Sequence, residues 1–436
     1  MKFYDRTNEL ETLSQIRMQS IENATFTMLI GRRRIGKTAL LLKSNEGQKM
    51  VYLFVSRNSE AVLCQQFQKQ ILDSLGIQIY GNINRFNQLF EQLLIISQSK
   101  HFTLIIDEFQ DFEKVNSAIF SEIQSLWDQY KDKIKLNFIV CGSISSMMTK
   151  IFEHNKEPLF GRLTSKIKLE PFTIQVVKQI LKDNNPTYTA DDLLLLYNIT
   201  GGISHYISLL MNAKAVTFNK MLDYLVRSDS PFLNEGKDVL VSEFGRDYGI
   251  YFSILQLIAI GKTRQTEIDS IIGKNTGTYL MNLEKHYSLI VKNKPIFSKP
   301  ESRNTKWSIE DNFLRFWFRF IYPNQMLIEM GKYDLLKQTI LNQYEQYSGL
   351  ILEKYFRQKY REEENITMMG QFWNSKGENE IDLIAINDMD KSVLIAEIKR
   401  NSNKINIQEL KAKGEILKKN LSEYNFTYKA ISLKDM

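Results

Sequence analysis

Two widely separated stretches each bring together residue types that handle phosphate. The first is GRRRIGKT, Gly31 to Thr38, followed at a distance by LIIDE, Leu104 to Glu108. Gly31 and Gly36 let the chain bend tightly around an anion, a helix opening at the end of the loop turns free amides toward it, Lys37 can bridge the outer phosphates, and Thr38 can ligate Mg²⁺. Arg34, Ile35 and Ala39 complete the stretch expected to line a nucleotide. Asp107 can hold a water of the same Mg²⁺, while Glu108 can align and deprotonate an attacking water. ATP and Mg²⁺ are therefore the expected cofactors. The second stretch is EIDLIA, Glu380 to Ala385, followed by AEIKR, Ala396 to Arg400. Glu397 and Lys399 are two residues apart and share one face of a strand, because strand side chains alternate. With Asp382 on the neighbouring strand, they form a set suited to phosphodiester cleavage: Asp382 and Glu397 as Mg²⁺ ligands, Lys399 orienting water or stabilising charge. Glu353, on the preceding helix, is the candidate fourth member. An exposed, salt-bridged strand pair is the competing reading of the same residues.

The elements that must position the first set follow a regular plan. Phe26 to Ile30 is a short apolar run feeding directly into the glycine loop, and further runs occur at Met50 to Val55, Thr103 to Ile106 and Asn137 to Cys141. The intervals suit crossover helices, so a parallel sheet covered by helices is expected. The additional run between the two motifs points to the additional-strand branch of ATPases. Ser143 lies just past the fourth run, where it can sense phosphate or position water, or simply cap the next helix. Arg162 can stabilise charge on a transferring phosphoryl group, from its own subunit or a neighbour, or can sit in a surface salt bridge.

Composition narrows the setting. A chain of 436 residues exceeds the usual range of one hydrophobic core, and 43% hydrophobic with 25% charged residues is a globular balance. No run of eighteen apolar residues occurs, so no membrane span is expected. The opening MKFYDRTNEL has acidic residues and no apolar signal core, and Cys64 and Cys141 are the only cysteines. Both features point to the cytoplasm rather than to secretion. A formal charge of +7 permits nucleic-acid binding without establishing it.

The segments FYDRTNELETL, GRRRIGKT, LIIDEFQDF, GSISSMM and PLFGRLTSKIKLEPF together resemble the prokaryotic AAA-type ATPases that carry a carboxy-terminal nuclease-like domain, the archaeal-type ATPase family. The resemblance implies that Asp5 and Arg6 lie near the adenine end of the site and that GGISHYI sits near the nucleotide. In that stretch Gly202 would allow close packing, and His205 reads mainly as a packing or capping residue. Thr173 to Val226 resembles the helical lid of such ATPases, and about Phe244 to Trp307 resembles a winged helix-turn-helix. Its Lys274, Tyr279, Lys285 and His286 can lie in a DNA groove, although the few basic residues suit a structural or partner-binding role at least as well. The aromatic run Phe313, Phe316, Trp317, Phe318 and Phe320 reads as a packing junction. The last part resembles the PD-(D/E)xK nuclease fold, with Ile381 in place of the proline.

The expected architecture is a multidomain α/β chain: a P-loop ATPase core with a parallel sheet (1–172), a helical lid (173–243), a winged helix with its packing junction (244–325), and a carboxy-terminal α/β restriction-endonuclease-like domain (326–436). The expected function is Mg²⁺-dependent ATP hydrolysis coupled to DNA binding or cleavage. The rival is an ATP-driven regulatory switch whose nuclease-like domain is inactive and binds a protein partner. No membrane association is expected, and the number of subunits is left open.

Overall fold

The computed structural model describes residues 2–143, 145–244, 248–363, 365–374 and 379–436. The chain divides into two compact units, Asp5–Glu170 and the remainder, Met1–Tyr4 with Pro171–Met436.

In the first unit, five strands form one sheet: β1 (Thr25–Ile30), β2 (Met50–Phe54), β3 (Phe102–Asp107), β4 (Leu136–Gly142) and β5 (Ser165–Lys168). All four pairings are parallel and the order is β2-β3-β4-β1-β5. Every residue of β1, β3 and β4 is buried. Parallel strands covered on both faces are largely apolar, which is why these segments read as near-continuous apolar runs broken only by residues such as Thr27, Thr103 and Asn137. Phe26, Met28, Phe138 and Val140 enter the core on one face, while Leu29, Ile105, Ile139 and Cys141 enter the core on the other. Phe26 stacks on Phe138 with ring centroids 4.4 Å apart.

Two details differ from the sequence-based expectation. The strand that separates β1 from β3 in the sheet is β4, which follows both motifs in the chain, whereas the run between the motifs forms the edge strand β2. Linear order alone cannot distinguish these arrangements, because crossover connections let any strand take any place. β5 was not expected: its sequence is SKIK, and only Ile167 is buried. A four-residue edge strand with charged outward residues leaves too faint an alternation to detect.

Besides a smaller core built on Ile381, Ile384, Ile395 and Leu410, the second unit has a large one that extends from Phe172 to Ile431. Its centre is the helix Ala190–Thr200, started by a reciprocal Thr189 and Asp192 capping box and buried from Asp192 through Thr200. A helix apolar on every side must be surrounded, and Asn312 and Tyr347 reach it by hydrogen bonds to Tyr197 O (3.0 Å) and Asn198 Oδ1 (3.2 Å). Helices Tyr248–Ala259, Gln265–Ile272 and Gly277–Lys285 precede the antiparallel pair β6 (Ile290–Asn293) and β7 (Lys306–Ile309). The aromatic run that follows is buried, and Trp317 Nε1 donates to Leu233 O at 2.9 Å.

After the 29-residue helix Tyr333–Arg361 come β8 (Met368–Trp373), β9 (Glu380–Asn387), β10 (Ser392–Lys399) and β11 (Asn425–Ser432). Their order is β11-β10-β9-β8, with β10 and β11 parallel and the other pairs antiparallel. The β6–β7 loop lies along the edge strand β8. Ile296 N donates to Gln371 O at 2.8 Å, Trp373 Nε1 donates to Asn304 Oδ1 at 3.0 Å, and Lys306 pairs with Glu380 at 2.8 Å. An edge that would otherwise expose unpaired amides is thereby covered. Among the described residues, no helix is long and apolar enough to cross a membrane.

Candidate nucleotide site

The loop after β1 has the conformation that its glycines suggest. A Cβ on Gly31 would come within 2.8 Å of Leu169 O, and Gly36 takes φ 100°, a left-handed value that glycine adopts at little cost. Arg34 is also left-handed, at φ 72°. The helix Lys37–Ser44 then begins, with Ile35 and Lys37 buried and Thr38 and Ala39 exposed. Lys37 Nζ curls back to donate to Gly31 O at 2.8 Å and Arg32 O at 3.2 Å. Burial lowers the Lys37 pKa, and the charges of Glu108 and Asp107 act in the opposite sense.

Asp107 ends β3 and gathers donors on both oxygens. Thr38 Oγ1 lies 3.3 Å from Oδ2, to which the Tyr52 hydroxyl also donates. Oδ1 accepts from Glu108 N at 2.9 Å and from Cys141 Sγ at 3.2 Å. Glu108 itself is left-handed, at φ 53°, a conformation that costs a residue with a Cβ about 1–2 kcal/mol. Its Oε2 accepts from Ser143 Oγ at 2.8 Å, Ser143 N at 3.3 Å and Gln110 Nε2 at 2.6 Å. The lysine, the hydroxyl and the acidic pair are the donor set that a triphosphate and a hard divalent cation require.

Tyr52, Cys141 and Gln110 were absent from the sequence-based set. Tyr52 and Cys141 stand on the strands flanking β3, so the signal lay in strand register rather than in linear spacing. Gln110 sits two residues past Glu108, in the short helical turn Phe109–Asp111. Burial raises the Cys141 thiol pKa, reinforced by Asp107. Arg162 is not gathered with this set: it donates to Phe160 O at 2.6 Å and pairs with Asp128 at 3.1 Å on the surface. Arg6 is buried, with its guanidinium on Glu170 O (2.7 Å) and Glu9 (3.0 Å), and both Asp5 and Arg6 are left-handed.

In the second unit, Gly202 packs so closely that a Cβ would lie 2.5 Å from Phe172 O. His205 stands 6.0 Å from the Tyr206 ring. Lys274 lies over the Tyr279 ring at 4.7 Å, and Lys285 and His286 end the helix Gly277–Lys285. The carboxy-terminal set does come together. β9 and β10 pair with Leu383 opposite Ala396, so Asp382 is carried next to Glu397. Lys399 Nζ lies 3.6 Å from Asp382 Oδ2 and 3.5 Å from Glu397 Oε1. Asp382 is buried and accepts from Ile398 N at 2.9 Å. Glu353 pairs with Arg357 at 3.3 Å, and Arg357 also donates to Asp382 O at 3.2 Å. Burial raises the Glu353 pKa, and the neighbouring Asp382 charge adds to it. Burial opposes the charge on Lys399, but Asp382, Glu397 and Glu353 together raise its pKa. Among the described residues, no three His, Cys, Asp or Glu side chains converge as a metal-binding group. Lys399 pairs with both carboxylates.

Residues 3–210 match the model of an ATPase domain predominantly from Archaea, and residues 317–412 match that of archaeal and bacterial proteins of unknown function. The Walker-type ATPase PABY2304 of Pyrococcus abyssi shares the fold at 17% identity, with a TM-score of 0.54, over 72% of this chain and 96% of its own. The ORC2 protein of Aeropyrum pernix, solved in ADPNP-ADP complexes, aligns at 15% identity with a TM-score of 0.48 over 78% of this chain and 96% of its own. The uncharacterized protein MJECL04 of Methanocaldococcus jannaschii is 30% identical over 407 residues, 91% of this chain and 87% of its own. The chain is thus an ATPase, and it belongs to the family that includes MJECL04, built on an ATPase domain predominantly from Archaea.

Proposed function

We propose that the first unit binds ATP with Mg²⁺ and hydrolyses it, and that the nucleotide state governs how the second unit handles DNA in the cytoplasm. The observation that carries this reading is the convergence of Asp107, Glu108 and Ser143, at the ends of adjacent strands, with Thr38 and the buried Lys37 of the helix after the loop. The loop amides and Lys37 hold the phosphates. Thr38 and Asp107 would hold Mg²⁺, which when bound neutralises charge developing on the phosphate oxygens. Glu108 takes the proton of the attacking water, and its carboxylate is already oriented by Ser143. Steady-state hydrolysis by wild type, Lys37→Ala and Glu108→Gln tests the assignment. Lys37→Ala should lose nucleotide binding, and Glu108→Gln should bind with turnover reduced about 10²-fold or more; full turnover by Glu108→Gln would refute it.

A second reading adds phosphodiester cleavage in a PD-(D/E)xK-like carboxy-terminal domain, and the grouping of Asp382, Glu397 and Lys399 favours it. Asp382 and Glu397 would hold the metal after Lys399 withdraws, leaving the lysine to orient water. Cleavage of linear and supercoiled DNA in Mg²⁺ by wild type, but not by Asp382→Ala or Glu397→Ala, is the expected result. If all three leave DNA intact while the ATPase turns over, the regulatory-switch reading, in which this domain binds a protein partner, takes its place. The wing loop packed along β8 supports that alternative for the winged helix, because a loop engaged with a neighbouring sheet is not free to enter a groove.

A further inference from the structure

We propose that Gln110 is a positioning residue of the ATPase reaction, anchoring Glu108 through one carboxylate oxygen so that the other is dedicated to the attacking water. The inference rests on the reading of Glu108 as the base. Three protein donors, Gln110 Nε2, Ser143 Oγ and Ser143 N, converge on Oε2. Among the described residues, no hydrogen bond is made to Oε1. A carboxylate can swing about its last torsion and exchange its two oxygens, because that torsion is broad and two-fold. Donors on one oxygen only remove this freedom.

Gln110 is held in place at a cost. Its side chain is 1% exposed, and its amide oxygen has no hydrogen-bond partner among the described residues. Leaving a buried acceptor unmatched is unfavourable, and reversing the amide would set its oxygen against the Glu108 carboxylate. The donor therefore faces Glu108, and the unmatched oxygen faces Gly142, where a Cβ would overlap both Gln110 and Met148. Glycine at the end of β4 makes the room that this orientation needs. The backbone of Glu108 is also left-handed, and its carboxylate lies on the Gln110 and Ser143 side.

In the reaction, the water proton passes to Glu108 Oε1 while the water oxygen forms its bond to the γ-phosphorus. The bond from that phosphorus to the β,γ-bridging oxygen breaks, and its electron pair leaves with ADP. Gln110 touches none of these atoms and acts by fixing Glu108.

The test is Gln110→Met, which keeps the length and bulk but removes the donor, measured for ATP turnover and nucleotide affinity in the full chain. The expected result is a kcat lowered about tenfold or more, with the dissociation constant for ATP changed less than about twofold. In the Glu108→Gln background, Gln110→Met should leave the residual rate unchanged, because the group it positions is gone. Wild-type kcat in Gln110→Met, or an equal drop in both backgrounds, overturns the proposal. Should Gln110→Met fail to fold, Ser143→Ala removes a donor from the same oxygen and must lower kcat alone; an unaffected kcat there also overturns it. Failure of the underlying reading is distinct: in that case Glu108→Gln itself retains wild-type turnover.

Discussion

Asp107 has no idle oxygen: Thr38 and Tyr52 share one, and Cys141 with the Glu108 amide shares the other. A hydrogen bond to an ionised acceptor contributes about 1.5–3 kcal/mol, so Tyr52→Phe should destabilise the ligand-free first unit by about 1–2 kcal/mol in denaturant unfolding. An unchanged midpoint would show that the hydroxyl is merely adjacent. Glu353 gives a pH prediction. Burial and Asp382 raise its pKa above the ordinary 4.5, so the folded state binds a proton more tightly than the unfolded chain. Its contribution is fully present below that ordinary value and is lost as pH rises toward the raised value. Wild-type stability should therefore fall relative to Glu353→Gln from about pH 4.5 toward neutrality, as read from melting curves across that range; parallel pH profiles would contradict it. At this scale the sequence was legible where chemistry is local. Gly31 to Thr38 and the Asp107–Glu108 pair lie within contiguous motifs, whereas Tyr52 reaches Asp107 across 55 residues and Cys141 across 34. Such contacts exist only once parallel strands are in register.

Strands and helices were readable in proportion to how fully each is buried. β1, β3 and β4 stood out as apolar runs, while β5 was missed because one buried residue in four makes no pattern. The helix Ala190–Thr200 showed its leucine cluster, but its place at the centre of the second unit depends on partners more than a hundred residues away. The β6–β7 loop is a similar case: Ile296 and Asn304 have no individual mark that destines them for β8. The turn after Ala190–Thr200 is the most sensitive point of this arrangement. Gly202 has φ 82°, and a Cβ there would lie 2.5 Å from Phe172 O, so Gly202→Ala combines a left-handed penalty with overlap and should cost about 2–4 kcal/mol. Chemical denaturation followed by tryptophan fluorescence checks this; a loss below about 0.5 kcal/mol would mean that the turn relaxes freely.

For the molecule as a whole, the chain carries two clusters of charged side chains, one in each compact unit, the first proposed to act on ATP and the second proposed to act on DNA. In the first, Lys37 is buried against the loop and the acidic pair is oriented by hydrogen bonds. In the second, Lys399 already pairs with both Asp382 and Glu397. Binding of nucleotide to the first set is the event on which the rest depends. Calorimetric titration of the full chain with ATP at millimolar Mg²⁺ measures it directly. Saturable binding by wild type and Glu108→Gln, absent in Lys37→Ala, is the predicted result. No heat of binding from folded wild-type protein, or equal binding by all three, would contradict the account.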